Sequence, residues 1–381
     1  MARRRIPVVI VAGFLGAGKT TLLNHLLRND SGIRIGVVVN DFGAINIDSM
    51  LVAGQVDSMV SLGNGCICCA VDISDMDAMF DALAHRRSAI DVIVVEASGL
   101  AEPRNLIRMV RGSENEFIVY GGLVGVVDAV EFPQTRVRHP EIDQHLQLAD
   151  LVVLNKSDAV SESERSAVVS TVQSVVGDVP VVPVAFGRVD PLLLFDRRED
   201  HSVNSAMAVQ LSFDELLREN HDHDHDHEHD HEHDHDRHLH AQYSHTEFVT
   251  AEPFEPRRLI EFLENPSGNL YRIKGFVHFG IAGYPQKFVV HTVGRHIRFE
   301  AASWARGEPE QTSLVLIGTE LDASAVEQRL RACVRGPDDA ADASAMLPVH
   351  RYLETGEFPR ARPTRYVRPR IPDASRSGPR P

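Results

Sequence analysis

Between residues 6 and 195, short β-branched apolar runs alternate with segments of helical periodicity. The runs cover residues 6–12, 33–40, 91–96, 122–127, 151–154 and 181–183, and the helical patterns cover 20–28, 73–87 and 161–176. The runs are apolar at almost every position rather than every second one, so these strands are buried on both faces. Strands of that kind separated by helices predict an α/β domain, with a mostly parallel sheet covered by helices on both sides.

The pattern breaks at residues 196–245. From His221 to His240 the chain reads HDHDHDHEHDHEHDHDRHLH, a low-complexity tract that cannot bury a core and is expected to be a solvated, disordered linker. Periodicity resumes with a helix at 256–264, strands at 270–279, 287–291, 296–300 and 313–318, and a helix at 323–333. That order predicts a smaller α+β domain over 246–350. The tail from Arg351 to Pro381 holds eight Arg and six Pro and little apolar periodicity, so disorder is expected there too.

Composition modifies this picture in three ways. The formal charge of −15 argues against a nucleic-acid partner, although eight Asp or Glu against one Arg in residues 221–240 supply about half of the excess. No apolar stretch approaches the ~18 residues of a membrane span, so no membrane partner is expected. Arg3, Arg4 and Arg5 before an apolar run resemble a signal peptide, but the same run reads better as the first strand, interrupted by Lys19. Four cysteines, three of them crowded together, do not make a disulfide framework; a reducing, cytoplasmic setting is expected. Cys333, in a helical pattern, reads as a small buried apolar residue.

Candidate chemistry begins directly after the first strand, at Gly13-Phe14-Leu15-Gly16-Ala17-Gly18-Lys19-Thr20. This is G-x-x-x-x-G-K-[ST] between a strand and a helix, the context in which glycines turn backbone N–H groups onto a phosphate chain. The helix that follows points its positive end at the same phosphates. Gly13, Gly16, Ala17, Gly18, Lys19, Thr20 and Thr21 are the candidate phosphate contacts, with Lys19 on the outer phosphates and the Thr20 hydroxyl on Mg²⁺. A nucleoside triphosphate is the implied ligand.

Asn155-Lys156-Ser157-Asp158 follows a strand, where ligands of open α/β sheets bind. The Asp158 carboxylate can accept from guanine N1–H and N2–H₂, a donor pair adenine lacks, and the Lys156 stem can lie along the base plane. GTP is therefore the expected nucleotide, with Asn155, Lys156 and Asp158 at the base. Between the two motifs, Glu96 ends a strand and Ser98-Gly99 follows. Glu96 reads either as a carboxylate serving Mg²⁺ through water, with the Gly99 N–H approaching the γ-phosphate, or as a helix cap near Glu102. Asn40-Asp41-Phe42-Gly43 is either a first switch, with Asp41 on a metal, or an ordinary turn.

Gly63-Asn64-Gly65-Cys66-Ile67-Cys68-Cys69 places three thiols within four residues. Thiolates suit Zn²⁺, Cu(I) or Co²⁺, and Cys66, Cys68 and Cys69 leave one coordination position open, as a metal that must be released requires. A redox cluster is the competing reading. His221, His223, His225, His227, His229, His231, His233, His235, His238 and His240 form a second, weaker reservoir for such ions, or are incidental to an acidic linker.

Taken together, Gly13–Thr20, Cys66–Cys69, Glu96–Gly99 and Asn155–Asp158 resemble the CobW-type metallochaperone GTPases. The likeness covers nearly all of residues 6–335, including the unit from 270 to 333. The resemblance implies a GTPase in which Lys19 and Thr20 hold phosphate and Mg²⁺, Glu96 is the switch carboxylate, and Lys19 and Glu96 carry the catalysis. It also implies that Cys66, Cys68 and Cys69 bind one transition metal between the switches, which hydrolysis loosens for transfer to a client metalloprotein. Many relatives have Glu at the place of Asp41, and the basic Pro-rich tail lies outside the family pattern. Zinc is the preferred metal; delivery of cobalt or iron (cobalamin-synthesis or nitrile-hydratase type) and a metal buffer are the alternatives. A P-loop small-molecule kinase would leave Asn155–Asp158 and the cysteines without a role. A homo-oligomer is compatible with the sequence.

Overall fold

The computed structural model describes residues 5–28, 33–39, 59–61, 73–84, 90–99, 102–195, 244–266, 270–339 and 341–353. Its first unit is a seven-stranded sheet in the order β3-β2-β4-β1-β5-β6-β7. The strands are β1 (Ile6–Gly13), β2 (Ile35–Val39), β3 (Met59–Ser61), β4 (Val92–Glu96), β5 (Ile118–Asp128), β6 (Leu151–Asn155) and β7 (Val181–Pro183). Every pairing among them is parallel, so all their carboxyl ends lie along one rim.

The expected double burial is present. Every residue of β4 and β6 is buried, and the alternate side chains of β1 feed different cores. Val8 and Ile10 join one cluster with Phe80, Leu106 and Val172; Val9 and Val11 join another with Leu22, Leu23 and Leu26. The helices are α1 (Lys19–Leu27), α2 (Ile73–Leu83), α3 (Pro103–Arg111), α4 (Phe132–Arg138), α5 (Glu141–Leu146), α6 (Glu162–Val176) and α7 (Pro191–Leu194). Their starts follow local chemistry. Proline occupies the first turn of α3, α4 and α7, where no N–H partner is needed. Ser161 and Glu164 form a reciprocal capping box on α6.

The second unit is an antiparallel sheet in the order β11-β10-β9-β12-β8. It comprises β8 (Ser244–Thr250), β9 (Leu270–Val277), β10 (Lys287–Val293), β11 (His296–Ala302) and β12 (Thr312–Gly318). Helices α8 (Pro256–Glu264), α9 (Ala323–Arg331) and α10 (Leu347–His350) pack on one face, around Phe254, Phe279, Phe288 and Phe299. Cys333 is in this core; burial pushes its thiol up to about 11, and its Sγ points at the Arg329 carbonyl 3.4 Å away. It is an inert packing residue, as the helical pattern predicts.

The two units meet through polar contacts, several at the amino-terminal side of the parallel sheet, and through apolar packing. The β10–β11 turn brings Arg295 to the junction, where its backbone N–H donates to the Asp150 carbonyl at 2.9 Å and its Nη2 to the Val176 carbonyl at 2.7 Å. Val176 ends α6, so Arg295 satisfies a carbonyl that the helix leaves open. Gly294 in the same turn has φ +54, and a Cβ there would lie 1.7 Å from the Asp150 carbonyl oxygen. Arg272, almost fully buried, donates to the carbonyls of Leu192 and Phe195 at 2.6 and 2.8 Å. Tyr271 is buried in the Leu22–Leu26 cluster, with Val293 and Ile317 packed against it.

Candidate functional site

The carboxyl rim of the parallel sheet collects the end of β1, Glu96, Asp128 and Asn155, drawing both sequence motifs to one place. The loop after β1 turns at Gly16 (φ +78) and Gly18 (φ +98), conformations that favour glycine. Close approach matters as well: a Cβ on Gly13 would lie 2.3 Å from the Val126 carbonyl oxygen, and one on Gly18 would lie 2.1 Å from Asn155 Nδ2. Lys19 opens α1 and folds back, its Nζ donating to the carbonyls of Gly13 at 3.0 Å and Phe14 at 3.3 Å. Ala17 is buried beneath the loop and Thr21 is exposed in the first turn of α1.

Thr20 and Glu96 are in direct contact. The Thr20 hydroxyl donates to Glu96 Oε1 at 2.9 Å. Parallel pairing of β1 with β4 sets this up, because Val11 and Glu96 are register partners and the Ala97 N–H donates to the Val11 carbonyl. Glu96 is buried, and Gly99 lies so near the loop that a Cβ would be 2.9 Å from the backbone of Leu15. A hydroxyl held by a buried carboxylate is an oxygen-donor set that suits Mg²⁺.

The base motif is built as a strut plus two outward groups. Asn155, only 2% exposed, donates from Nδ2 to the Ala17 carbonyl at 3.0 Å and accepts the Gly187 N–H on Oδ1 at 2.8 Å. It locks the loop after β6 to the phosphate loop and to the loop after β7. Ser157 is buried, its backbone N–H on the Val184 carbonyl and its hydroxyl on the Leu154 carbonyl. Lys156 is left-handed (φ +58), and Asp158 is exposed. The geometry therefore divides the tetrapeptide into a buried Asn155 and Ser157 that fix the loop, and Lys156 and Asp158 that project from it.

Two participants escape a motif reading. Asp128 ends β5 beside Asn155 and contacts Lys156 at 2.6 Å. Phe186 is left-handed (φ +53) and 64% exposed, immediately before the Gly187 that Asn155 holds. Asp128 does carry a sequence signal: like Glu96, it is a carboxylate at the end of an apolar run. The signal for Phe186 is only its place soon after a strand.

Behind the phosphate loop lies a largely apolar cavity of about 110 Å³, bounded by Phe14, Val127, Phe132, Ile142 and Leu146. Phe14 packs on His139, with ring centroids 4.7 Å apart. His145 lines the cavity, and burial holds its imidazole below the usual range against the pull of Glu102 and Glu141.

Asp41, Cys66, Cys68, Cys69 and the ten histidines of residues 221–240 lie outside the described residues. Among the described residues, no group of three or more His, Cys, Asp or Glu is arranged to hold a metal, and no helix is long and apolar enough to cross a membrane.

Comparison with known proteins converges on one kinship. Residues 7–183 match the family model described as CobW/HypB/UreG, nucleotide-binding domain, and residues 243–334 match the cobalamin synthesis protein cobW C-terminal domain. A protein of Pseudomonas aeruginosa named zinc chaperone CobW is 33% identical, over 87% of this chain and 92% of its own length. A protein of the same name from Sinorhizobium sp is 30% identical, over 87% of this chain and 98% of its own. The zinc chaperone YjiA of Escherichia coli is 27% identical, with coverage of 87% and 98%.

Proposed function

The chain belongs to the CobW family of GTPases, and we propose that it is a zinc metallochaperone that loads the ion in its GTP-bound state and passes it to a client metalloprotein after hydrolysis. The observation that carries the nucleotide half is the pair of struts at the sheet rim. Thr20 is bonded to Glu96, and Asn155 is bonded to both Ala17 and Gly187, which ties the loops we assign to phosphate, switch and base to one another at one rim. The metal half rests on Cys66, Cys68 and Cys69 and on relatives named zinc chaperones.

Within that reading the residues divide the work. Backbone N–H groups from Gly13 to Thr20 and the Lys19 ammonium surround the phosphates, and Asp158 accepts from the guanine edge. Lys19 exchanges its two carbonyl acceptors for phosphate oxygens when nucleotide enters, placing a positive charge where negative charge accumulates during transfer. Thr20 would hold Mg²⁺ directly and Glu96 would do so through water; bound there, the ion neutralises charge on the outer phosphates. Glu96 also reads occupancy, because any change at Thr20 reaches β4 and the adjoining Gly99. The zinc ion is cargo, held as thiolate by the cysteines, and the ten histidines of 221–240 supply a weaker store.

Zinc affinity measured by competition with a chromophoric chelator tests the proposal. Tight binding with a non-hydrolysable GTP analogue and weaker binding with GDP is expected, and linkage requires zinc to tighten the analogue by the same factor. Equal affinities in the two states would overturn it. A parallel cobalt titration separates the two deliveries, since a larger nucleotide effect on cobalt would reassign the cargo.

A further inference from the structure

We infer that Asp128 is a positioning residue for guanine recognition, acting through Lys156. This rests on the reading that Asn155–Asp158 binds the base. The Lys156 ammonium lies 2.6 Å from Asp128 Oδ2. Lys156 occupies a left-handed backbone conformation (φ +58), which turns its side chain out of the loop. Unrestrained, a lysine stem samples many rotamers and loses that freedom when a base stacks against it. Anchored at its tip, the stem is held as a ready-made wall.

The anchor is itself rigid. Asp128 is buried at the end of β5, in register with Asn155 of β6. Its other oxygen, Oδ1, accepts the backbone N–H groups of Val130 at 2.9 Å and Glu131 at 3.2 Å. The following Ala129 N–H donates to the Asn155 carbonyl at 2.9 Å. One carboxylate thus divides its oxygens, Oδ1 fixing the turn into α4 and Oδ2 fixing the lysine. Lys156 keeps its charge partner without Asp158, whose carboxylate stays open for the guanine donors.

That division supplies the test. Asp128→Asn keeps Oδ1 for the turn and replaces Oδ2 with an amide that cannot pair with an ammonium. In the full chain, the Kd for a fluorescent GDP analogue is measured for the parent, Asp128→Asn, Lys156→Met and the double variant. Asp128→Asn should weaken binding about 3- to 10-fold, the scale of one unrestrained side chain. In the Lys156→Met background it should have no further effect, because the group it positions is gone. A loss of equal size in both backgrounds would assign Asp128 a purely structural role and overturn the inference, as would an unchanged Kd for Asp128→Asn. Asp158→Asn checks the underlying reading separately. Its amide should move preference from guanine towards xanthine, which has a carbonyl where guanine has its amino group. If Asp158→Asn leaves GDP binding intact, the base assignment fails. If preference shifts but the cycle is additive, only the positioning role fails.

Discussion

Acidification should act on the domain junction through two groups whose effects oppose one another. His296 starts β11 at the junction, its ring edge-on to Tyr120 with centroids 5.2 Å apart. Its Nε2 is buried with no hydrogen-bond partner among the described residues. Burial, helped by the Arg298 and Arg111 cations, pushes the imidazole down to about 3. Folding therefore favours the neutral ring, and the stability this contributes is complete above pH ~6.5 and lost as pH falls below it. Asp150 behaves inversely. Burial pushes its carboxyl up to about 6, against the Leu123 N–H, the Tyr120 hydroxyl and the nearby Arg111 and Arg295. Its contribution is present at low pH and is lost as pH rises through about 6. Between pH 7 and about 4.5, at roughly 1.4 kcal/mol per pH unit, His296 should withdraw about 3 kcal/mol and Asp150 should restore about 2. The parent's junction is thus nearly pH-neutral, losing about 1 kcal/mol. Removing either group exposes the other: Asp150→Asn should lose about 3 kcal/mol over this interval beyond what the shared carboxylates impose, and His296→Phe should gain about 2. Urea unfolding at the two pH values, followed by the single tryptophan, Trp304 of the second domain, measures both. Parallel pH profiles for parent and variants would refute the argument.

Gly294→Ala should destabilise the chain by about 2–3 kcal/mol, because φ +54 and a Cβ 1.7 Å from the Asp150 carbonyl oxygen leave no relief. Gly283→Ala is its control, with φ +89 but nothing within 4 Å, so its urea midpoint should shift much less. Glu96→Gln keeps an acceptor for Thr20 but removes the charge. Phosphate release should slow by about two orders of magnitude, while the affinity for GDP stays within a fewfold. Phe186→Ala should raise the Kd for GDP by about tenfold, the loss of one base–aromatic stack, and an unchanged Kd would refute that contact.

The chain wrote its local chemistry plainly and its distant contacts hardly at all. Gly13–Thr20 and Asn155–Asp158 stand out in the sequence because each motif is made of consecutive residues, and the structure brings the two together through Asn155 and Ala17. The parallel strands were legible because double burial makes them apolar throughout. Elements that break these rules were missed or shortened. β3 has three residues, too few to show a period. β5 begins four residues earlier than its apolar run suggests, because Gly121 and Gly122 interrupt the pattern. β8, SHTEFVT, alternates like an edge strand and merges by composition with the linker before it. Lys156 with Asp128, and Arg295 with Asp150 and Val176, join residues far apart in the chain. Lysine, arginine and aspartate occur throughout any soluble sequence, so only the fold reveals which ones meet.

The all-parallel sheet gives these meetings a spatial logic. Its carboxyl rim carries Glu96, Asp128 and Asn155, and its amino side carries Tyr120 and Asp150. The β10–β11 turn grips the amino side and so leaves clear the strand ends proposed to hold the nucleotide. A GTPase that must exchange nucleotide needs that rim unobstructed. β5 and β6 both run from one side to the other: Tyr120 touches His296 and Asp128 holds Lys156, while Asp150 just before β6 meets Arg295 and Asn155 ends that strand. Substitutions that loosen the junction, such as Gly294→Ala at a position that packs on Asp150, should therefore reach GDP binding through β6 as well as β5. Any such effect should persist in part in the Asp128→Asn background, where the link from β5 to Lys156 is cut but β6 still ends in Asn155; its complete loss there would refute the β6 route.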